Sequence, residues 1–329
     1  FSISGAGRLR CTGDLEIRVQ GNVTMDGGQI FTEAEPGASG DLVFKCGGAM
    51  DLELGSIGSQ AAAGSMGGGV VVAALGGDIQ ATNYGPTITA DVTPSSGDDR
   101  NCVVLAAGDI VLPYDSYIEA GTDDDASGGN VFVGTVNGDI RLQEDVMIGA
   151  DGGASGHAVE LRSGGSVIME GGSTVYTRLG HLTGEPAGVS IYALGGRIEV
   201  GSGCDVYAKN NTDSNSTGDV LLMANGEVVL DDFARIHTGD AAAGSGDITI
   251  IGYRCDDGLS PAVRFVNKYT EIYTGDAGEV EVGNVEIQGF VSTEGESDAI
   301  SWGTNSIRTG QGFIGGDVIL RTRCCGVAD

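Results

Sequence analysis

The chain repeats itself. Four stretches of 28 residues, Gly40–Gly67, Asn101–Gly128, Gly129–Gly156 and Gly218–Ser245, follow one three-beat plan. Each beat is a short alternating apolar run opened or closed by Gly, often with Asp or Asn beside it. The clearest copy reads GNVFVGTV, then NGDIRLQ, then EDVMIGADGGASG. A period in this range governs the whole fold, because a single unit cannot bury a core and stacked units can. Three strands per period, with no helical pattern between them, predict an all-β fold. The expected form is a three-sided parallel β-helix, a β-solenoid, of about ten or eleven coils of roughly 28 residues.

Side chains alternate sides along a strand, so each side of the triangle sends about two apolar residues inward. In the stretch from Gly129 these are Val131 and Val133, Ile140 and Leu142, then Val146 and Ile148. The stretch from Gly218 offers Val220 and Leu222, Val228 and Leu230, then Ile236. A Gly-Asp step recurs at Asp14, Asp41, Asp78, Asp109, Asp139, Asp219, Asp247 and Asp317. It predicts sharp corners, with Gly supplying a positive φ and Asp bonding the backbone of the residues that follow it. The third corner is longer and more variable (AEPGASG, GTDDDASGG, NNTDSNSTG), and small residues there let successive loops stack into a ridge. Asp123, Asp124 and Asp125 form its densest acidic tip. These three are the candidate calcium ligands, with a solvated acidic tip the preferred reading; the Gly-Asp aspartates are read as corner residues because the nonapeptide of calcium-binding β-rolls is missing.

An even repeat favours one elongated domain over residues 1–329. Within it, 1–12 read as a partial N-terminal coil and 13–251 as regular coils with an insertion in 68–100. Residues 252–312, with Trp302, Arg254, Arg264 and Lys268, read as irregular coils or a side protrusion, and 313–329 as a partial C-terminal coil. The charge of −29, from 46 acids against 17 bases, argues against nucleic acid as a partner,. No apolar run approaches the roughly 18 residues of a membrane helix, so no membrane insertion is expected.

The opening FSISGAG reads as a mature end after removal of a signal peptide, which predicts a secreted, extracellular or cell-surface protein. Seven Cys without zinc spacing fit an oxidising compartment and disulfides, and the odd count leaves one thiol over,. Sequons at Asn22, Asn210 and Asn215 are candidate glycosylation sites,. At the two ends, SISGAGRLRCT reads as the late strands of a coil and GGDVILRTRCC as the first strand of an unfinished one. Uncapped solenoid ends are sticky sheet edges. Together these features predict subunits stacked head to tail into a homopolymer, with Cys11 of one copy facing Cys324 or Cys325 of the next.

Catalysis has less support. Hydrolysis of a glycan needs paired carboxylates across a cleft. The pairs Asp98-Asp99, Asp231-Asp232 and Asp256-Asp257 are not set among the His and Arg or Lys residues that pectin-degrading β-helices bring to their clefts, and His157, His181 and His237, far apart in sequence, each fall near an expected corner. No catalytic residue is assigned, although parallel β-helices also host polysaccharide lyases and glycoside hydrolases.

Runs such as GDIRLQEDVMI and GGRIEVGSGCDVYA resemble the stalks of filamentous-haemagglutinin-like secreted proteins and related extracellular adhesins. The resemblance is one of repeat style over about three-quarters of the chain. It implies a right-handed solenoid and a rod-like surface protein that scaffolds or adheres. The expected function is therefore a structural filament subunit. The alternatives are an adhesin that binds glycan or protein through its corner loops and, behind it, a polysaccharide-cleaving enzyme.

Overall fold

The computed structural model describes residues 1–33, 39–60, 67–90, 101–121, 129–152, 158–179, 188–210, 217–240, 244–253, 262–266, 269–276, 282–289, 291–294, 306–310 and 316–321. Within them the protein is all-β and forms three sheets of eleven strands each. Strands are dealt to the sheets in strict rotation. The first rung is Ser2–Ser4, Arg8–Cys11 and Leu15–Val19, opening the first, second and third sheets; the last is Val291–Glu294, Ser306–Arg308 and Val318–Arg321. Each strand pairs in parallel with the one three places on, as in Val131↔Val159 and Ile140↔Val167. The result is a three-sheet parallel β-solenoid. Among the described residues there is no helix long and apolar enough to cross a membrane.

The lumen is the core. All eleven side chains named above as inward-facing, from Val131 to Ile236, are buried. Register stacks like on like: Leu42, Val70, Cys102, Val131, Val159, Val189, Val220, Ile248 and Val285 form one inward column of the third sheet. Each fully buried Val, Leu or Ile is worth about 1.5–3 kcal/mol relative to exposure. A lone coil exposes both flanks of these side chains to water, so this gain requires stacking.

Uniform coils of 28 residues overstate the regularity. In the third sheet the step is 27 residues from Leu15 to Leu42 and 28 from Leu42 to Val70, but 32 from Val70 to Cys102 and 37 from Ile248 to Val285. Strands keep their length while corners absorb insertions, because only the strands must match their neighbours hydrogen bond for hydrogen bond. The strands Val70–Ala74, Ile79–Gln80 and Thr87–Ala90 stay in register through the expected insertion in 68–100. Their extra corner is gripped by Glu53, which accepts the amides of Thr82 (2.7 Å), Asn83 (3.0 Å) and Tyr84 (3.2 Å). The Asn83 amide, first among these bonds, holds the Glu53 carboxyl below its usual range. In 252–312 the strands Val263–Val266, Glu271–Tyr273, Val285–Gln288 and Ser306–Arg308 continue the sheets as irregular coils. Arg254, Lys268 and Trp302 lie outside the described residues.

The Gly-Asp corner works differently from expectation on both counts. None of the positive-φ glycines is one that precedes these aspartates. Glycine is needed because rungs approach closely: a Cβ on Gly138 falls 2.3 Å from the Gly108 carbonyl carbon, and one on Gly40 falls 2.2 Å from the Asp14 nitrogen. Gly13, in the first rung, has nothing within 4 Å. The aspartates bond across rungs rather than along their own turn. Asp78 Oδ1 accepts the Asp109 amide and Asp109 Oδ1 the Asp139 amide, each at 2.8 Å. A parallel ladder leaves corner amides without a strand partner, and a side-chain oxygen one rung back supplies it.

Candidate functional site

Two surfaces stand out, the end rungs and the outward face of the second sheet. In the first and last described rungs the inward side chains are partly exposed. Val318 and Leu320 occupy inward positions below Val285 and Ile287, yet are 46% and 45% exposed. At the other end Leu9, stacked on Ile30, is 36% exposed, and Ile3, Leu15 and Ile17 are only partly buried. The corner ladder entering the third sheet runs between these ends. Asp14 Oδ1 accepts the Asp41 amide at 3.0 Å, and Asn284 Oδ1 accepts the Asp317 amide at 2.8 Å. The Asp14 amide has no preceding rung to bond, and the Asp317 carboxylate no following one among the described residues.

Residues 1–12 carry the opening strands of the first and second sheets, and Val318–Arg321 is the closing strand of the third.

Cys11 ends its strand in the first rung as a half-buried free thiol, its Sγ donating to the Asp14 carbonyl at 3.7 Å. Cys324 and Cys325 lie outside the described residues. Cys46, Cys102 and Cys204 are buried free thiols rather than members of disulfides. Cys46 and Cys102 stand two rungs apart and at opposite ends of their strands in the third sheet, about 16 Å, beyond disulfide reach,. Burial pushes the Cys102 thiol up to about 12 and Cys204 up to about 11, which keeps both protonated.

Asn22 sits at an exposed corner, its Oδ1 accepting the Ala49 amide at 3.1 Å. Asn210 ends the strand Asp205–Asn210; Asn215 is outside the described residues, as are Asp123, Asp124 and Asp125. Among the described residues no cluster of three or more His, Cys, Asp or Glu is arranged to hold a metal. The Asp231-Asp232 pair caps its own corner, the Asp232 amide donating to Asp231 Oδ1 at 2.7 Å.

His237 is not at a corner. It lies mid-face on the strand Arg235–Thr238 of the second sheet, in an outward column that sequence reasoning missed. That column runs Glu119, Gly149, Tyr176, Tyr207, His237, Tyr273, Arg308 on successive rungs. Ring centroids are 5.5 Å apart between Tyr176 and Tyr207, 5.1 Å between Tyr207 and His237, and 4.9 Å between His237 and Tyr273. Arg308 lies 5.0 Å over Tyr273. Tyr176 crosses the bare Gly149 and donates its hydroxyl to Glu119 Oε1 at 2.8 Å; Tyr117 donates to Glu119 Oε2. Burial, then the Glu119 charge, pushes the Tyr176 hydroxyl far above its usual value, so it acts as a donor and not a base.

Beside the stack, Arg178 pairs with Asp151 at 2.6 Å, Arg235 with Asp205 at 2.6 Å, and His237 Nε2 lies 3.2 Å from Asp205 Oδ1. The stacked rings cover one another's faces, so they offer edges rather than a platform for a sugar. One local signal could have found the column: TVY, DVY, RIH and EIY each put an aromatic two places after a polar residue in one beat.

No family model matches the chain, and no curated protein or solved structure is similar to it at a significant level.

Proposed function

We propose that this protein is the structural subunit of an extracellular filament that grows head to tail by stacking terminal rungs. One observation carries the reading: the two ends are complementary. The Asp317 carboxylate at one end matches the Asp14 amide at the other, and Val318 and Leu320 match Leu15 and Ile17 in the same sheet positions. An end-to-end contact of this kind does not close on itself and generates an open fibre, while edge pairing supplies backbone hydrogen bonds. In this reading the coil winds right-handed, export precedes assembly, and Cys11 crosslinks to Cys324 or Cys325 of the neighbouring copy.

Negative-stain microscopy with and without reductant tests it. Threads with an axial repeat of about 53 Å, eleven rungs at about 4.8 Å, are expected,. The variant Leu320→Asp should leave rods one subunit long. Discrete rods from the unaltered protein at every concentration sink the reading.

The adhesin alternative is favoured by a second observation. Thr32, Thr238, Thr274 and Thr309 each donate to a Gly carbonyl across the base of the second-to-third corner, at 2.7, 3.3, 3.1 and 3.2 Å. Such pinned bases present successive loops from one rigid edge, and glycan binding without polymerisation is what this alternative predicts.

A further inference from the structure

The outward face of the third sheet sorts its charges by column. Register puts Glu16, Glu160 and Glu286 in one outward column, and Arg18, Lys45, Arg162 and Arg321 in the other. No base falls in the first column and no acid in the second. Between Lys45 and Glu160 the face is apolar. Val43, Val71, Val103 and Phe132 follow one another in the acidic column, with Ala73, Leu105 and Gly134 beside them. A slot of about 220 Å³ opens there against Leu105, Phe132, Gly134 and Arg162, with Leu75 (64% exposed) and Val136 (70% exposed) on its rim.

Net charge on the face is +1, three acids against four bases, on a chain that carries −29. An apolar, near-neutral strip on a strongly acidic rod is where a second acidic rod can approach. The strip measures about 17 Å by 50 Å, roughly 850 Å², against about 800 Å² per partner in a stable interface.

We propose that this face is a lateral interface with a second copy of the chain, the two rods lying side by side and pointing the same way. The column pattern selects that direction. A two-fold axis parallel to the rods lays the acidic column of one copy on the basic column of the other, rung by rung. Glu160 then meets Arg162 of the other copy, while the end-rung pairs Glu16–Arg18 (2.7 Å) and Glu286–Arg321 (2.6 Å), which bond within the chain, face their counterparts with partners in reach to exchange. Antiparallel rods would instead oppose Glu160 to Glu160, because it lies on the sixth of eleven rungs, and Arg18 to Arg321. Like charges face to face disfavour that arrangement. The pairing does not depend on end stacking; if both occur, threads of one polarity are two rods wide.

The test uses the full chain carrying Leu320→Asp, so that length and width are read separately. Sedimentation should give twice 33.2 kDa. Adding Phe132→Asp should halve that mass. Glu160→Arg and Arg162→Glu should each weaken pairing about tenfold or more, and a 1:1 mixture of the two should restore it, because each reversed charge then meets its opposite. Circular dichroism verifies the fold, and the charge reversals, being on the surface, stand alone if Phe132→Asp does not fold. A 33.2 kDa species at about 0.1 mM,, a dimer indifferent to all three changes, or a mixture that stays monomeric overturns the interface. Failure of end stacking shows instead as short rods from the unaltered protein.

Discussion

The outward faces of the second and third sheets share one backbone and differ in what they leave unfinished. On the second, Glu119 holds two tyrosine hydroxyls, the rings from Tyr176 to Tyr273 cover each other, and Arg178 and Arg235 are paired within the chain. On the third, Val71, Val103 and Phe132 are half-buried with water on their outer side. The first face completes itself and contributes stability. The second stabilises the rod little and is free to be covered. A solenoid can thus divide labour by face, since every rung gives each face the same two outward positions.

The largest expected contrast comes from truncating one aromatic on each face. Tyr176 is 1% exposed, is stacked on Tyr207 and is bonded to Glu119. Tyr176→Ala should cost about 3–5 kcal/mol in urea unfolding. Phe132→Ala, at a half-exposed site, should cost about 1 kcal/mol or less. Equal losses would break the distinction between a completed face and an open one.

A subtler version adds one methyl. A Cβ on Gly149 falls 2.2 Å from Cζ of Tyr176, whose ring is fixed by its neighbours on the stack. Gly149→Ala should therefore destabilise by about 1–3 kcal/mol, the usual cost of overpacking, and shift the tyrosine near-ultraviolet circular dichroism.

Alkaline pH addresses the same face without mutation. Burial, the first cause in each case, raises the hydroxyls of Tyr117, Tyr176, Tyr207 and Tyr273 above the ordinary 10.0. The folded state then holds protons that the unfolded state gives up. Stability from these groups is fully present below about pH 10 and falls as pH rises beyond it. Absorbance at 295 nm should show these four tyrosines ionising only with unfolding. Early ionisation of all tyrosines would mean that the stack does not hold.

How much of this was legible varied with distance along the chain. The core positions were, because alternation within a strand is local: Val131, Val133, Ile140 and Leu142 face inward as their pattern requires. The function of the Gly-Asp corner was half legible. A corner was visible, but its partner lies 30 residues away, as for Asp109 and Asp139, and sequence order suggests neighbours instead. The aromatic column was not legible at all under a fixed period. Tyr176, Tyr207, His237 and Tyr273 are spaced by 31, 30 and 36 residues, and only the register brings them together. The same holds for the charge sorting on the third sheet.

The smallest expected effect is also the sharpest control. Gly134 is the third-sheet counterpart of Gly149, and a Cβ there falls 2.7 Å from Cε1 of Phe132 and 3.2 Å from Cδ2 of Leu105. The atoms met are again the far end of a ring, but this ring has solvent beside it and no stacked neighbour to hold it. Phe132 can turn outward by a few tenths of an ångström at little cost. Replacing Gly by Ala also removes conformational freedom from the unfolded chain, worth about 0.4–1 kcal/mol in favour of folding where the backbone allows it. The φ of Gly134 is not in the left-handed region, so the backbone does allow it. Gly134→Ala should therefore leave unfolding within about 0.5 kcal/mol of the parent while Gly149→Ala does not. If Phe132 is pressed against a second copy, the balance changes with concentration. The variant should be neutral when dilute and destabilised where rods pair, because the displaced ring then pushes into the partner.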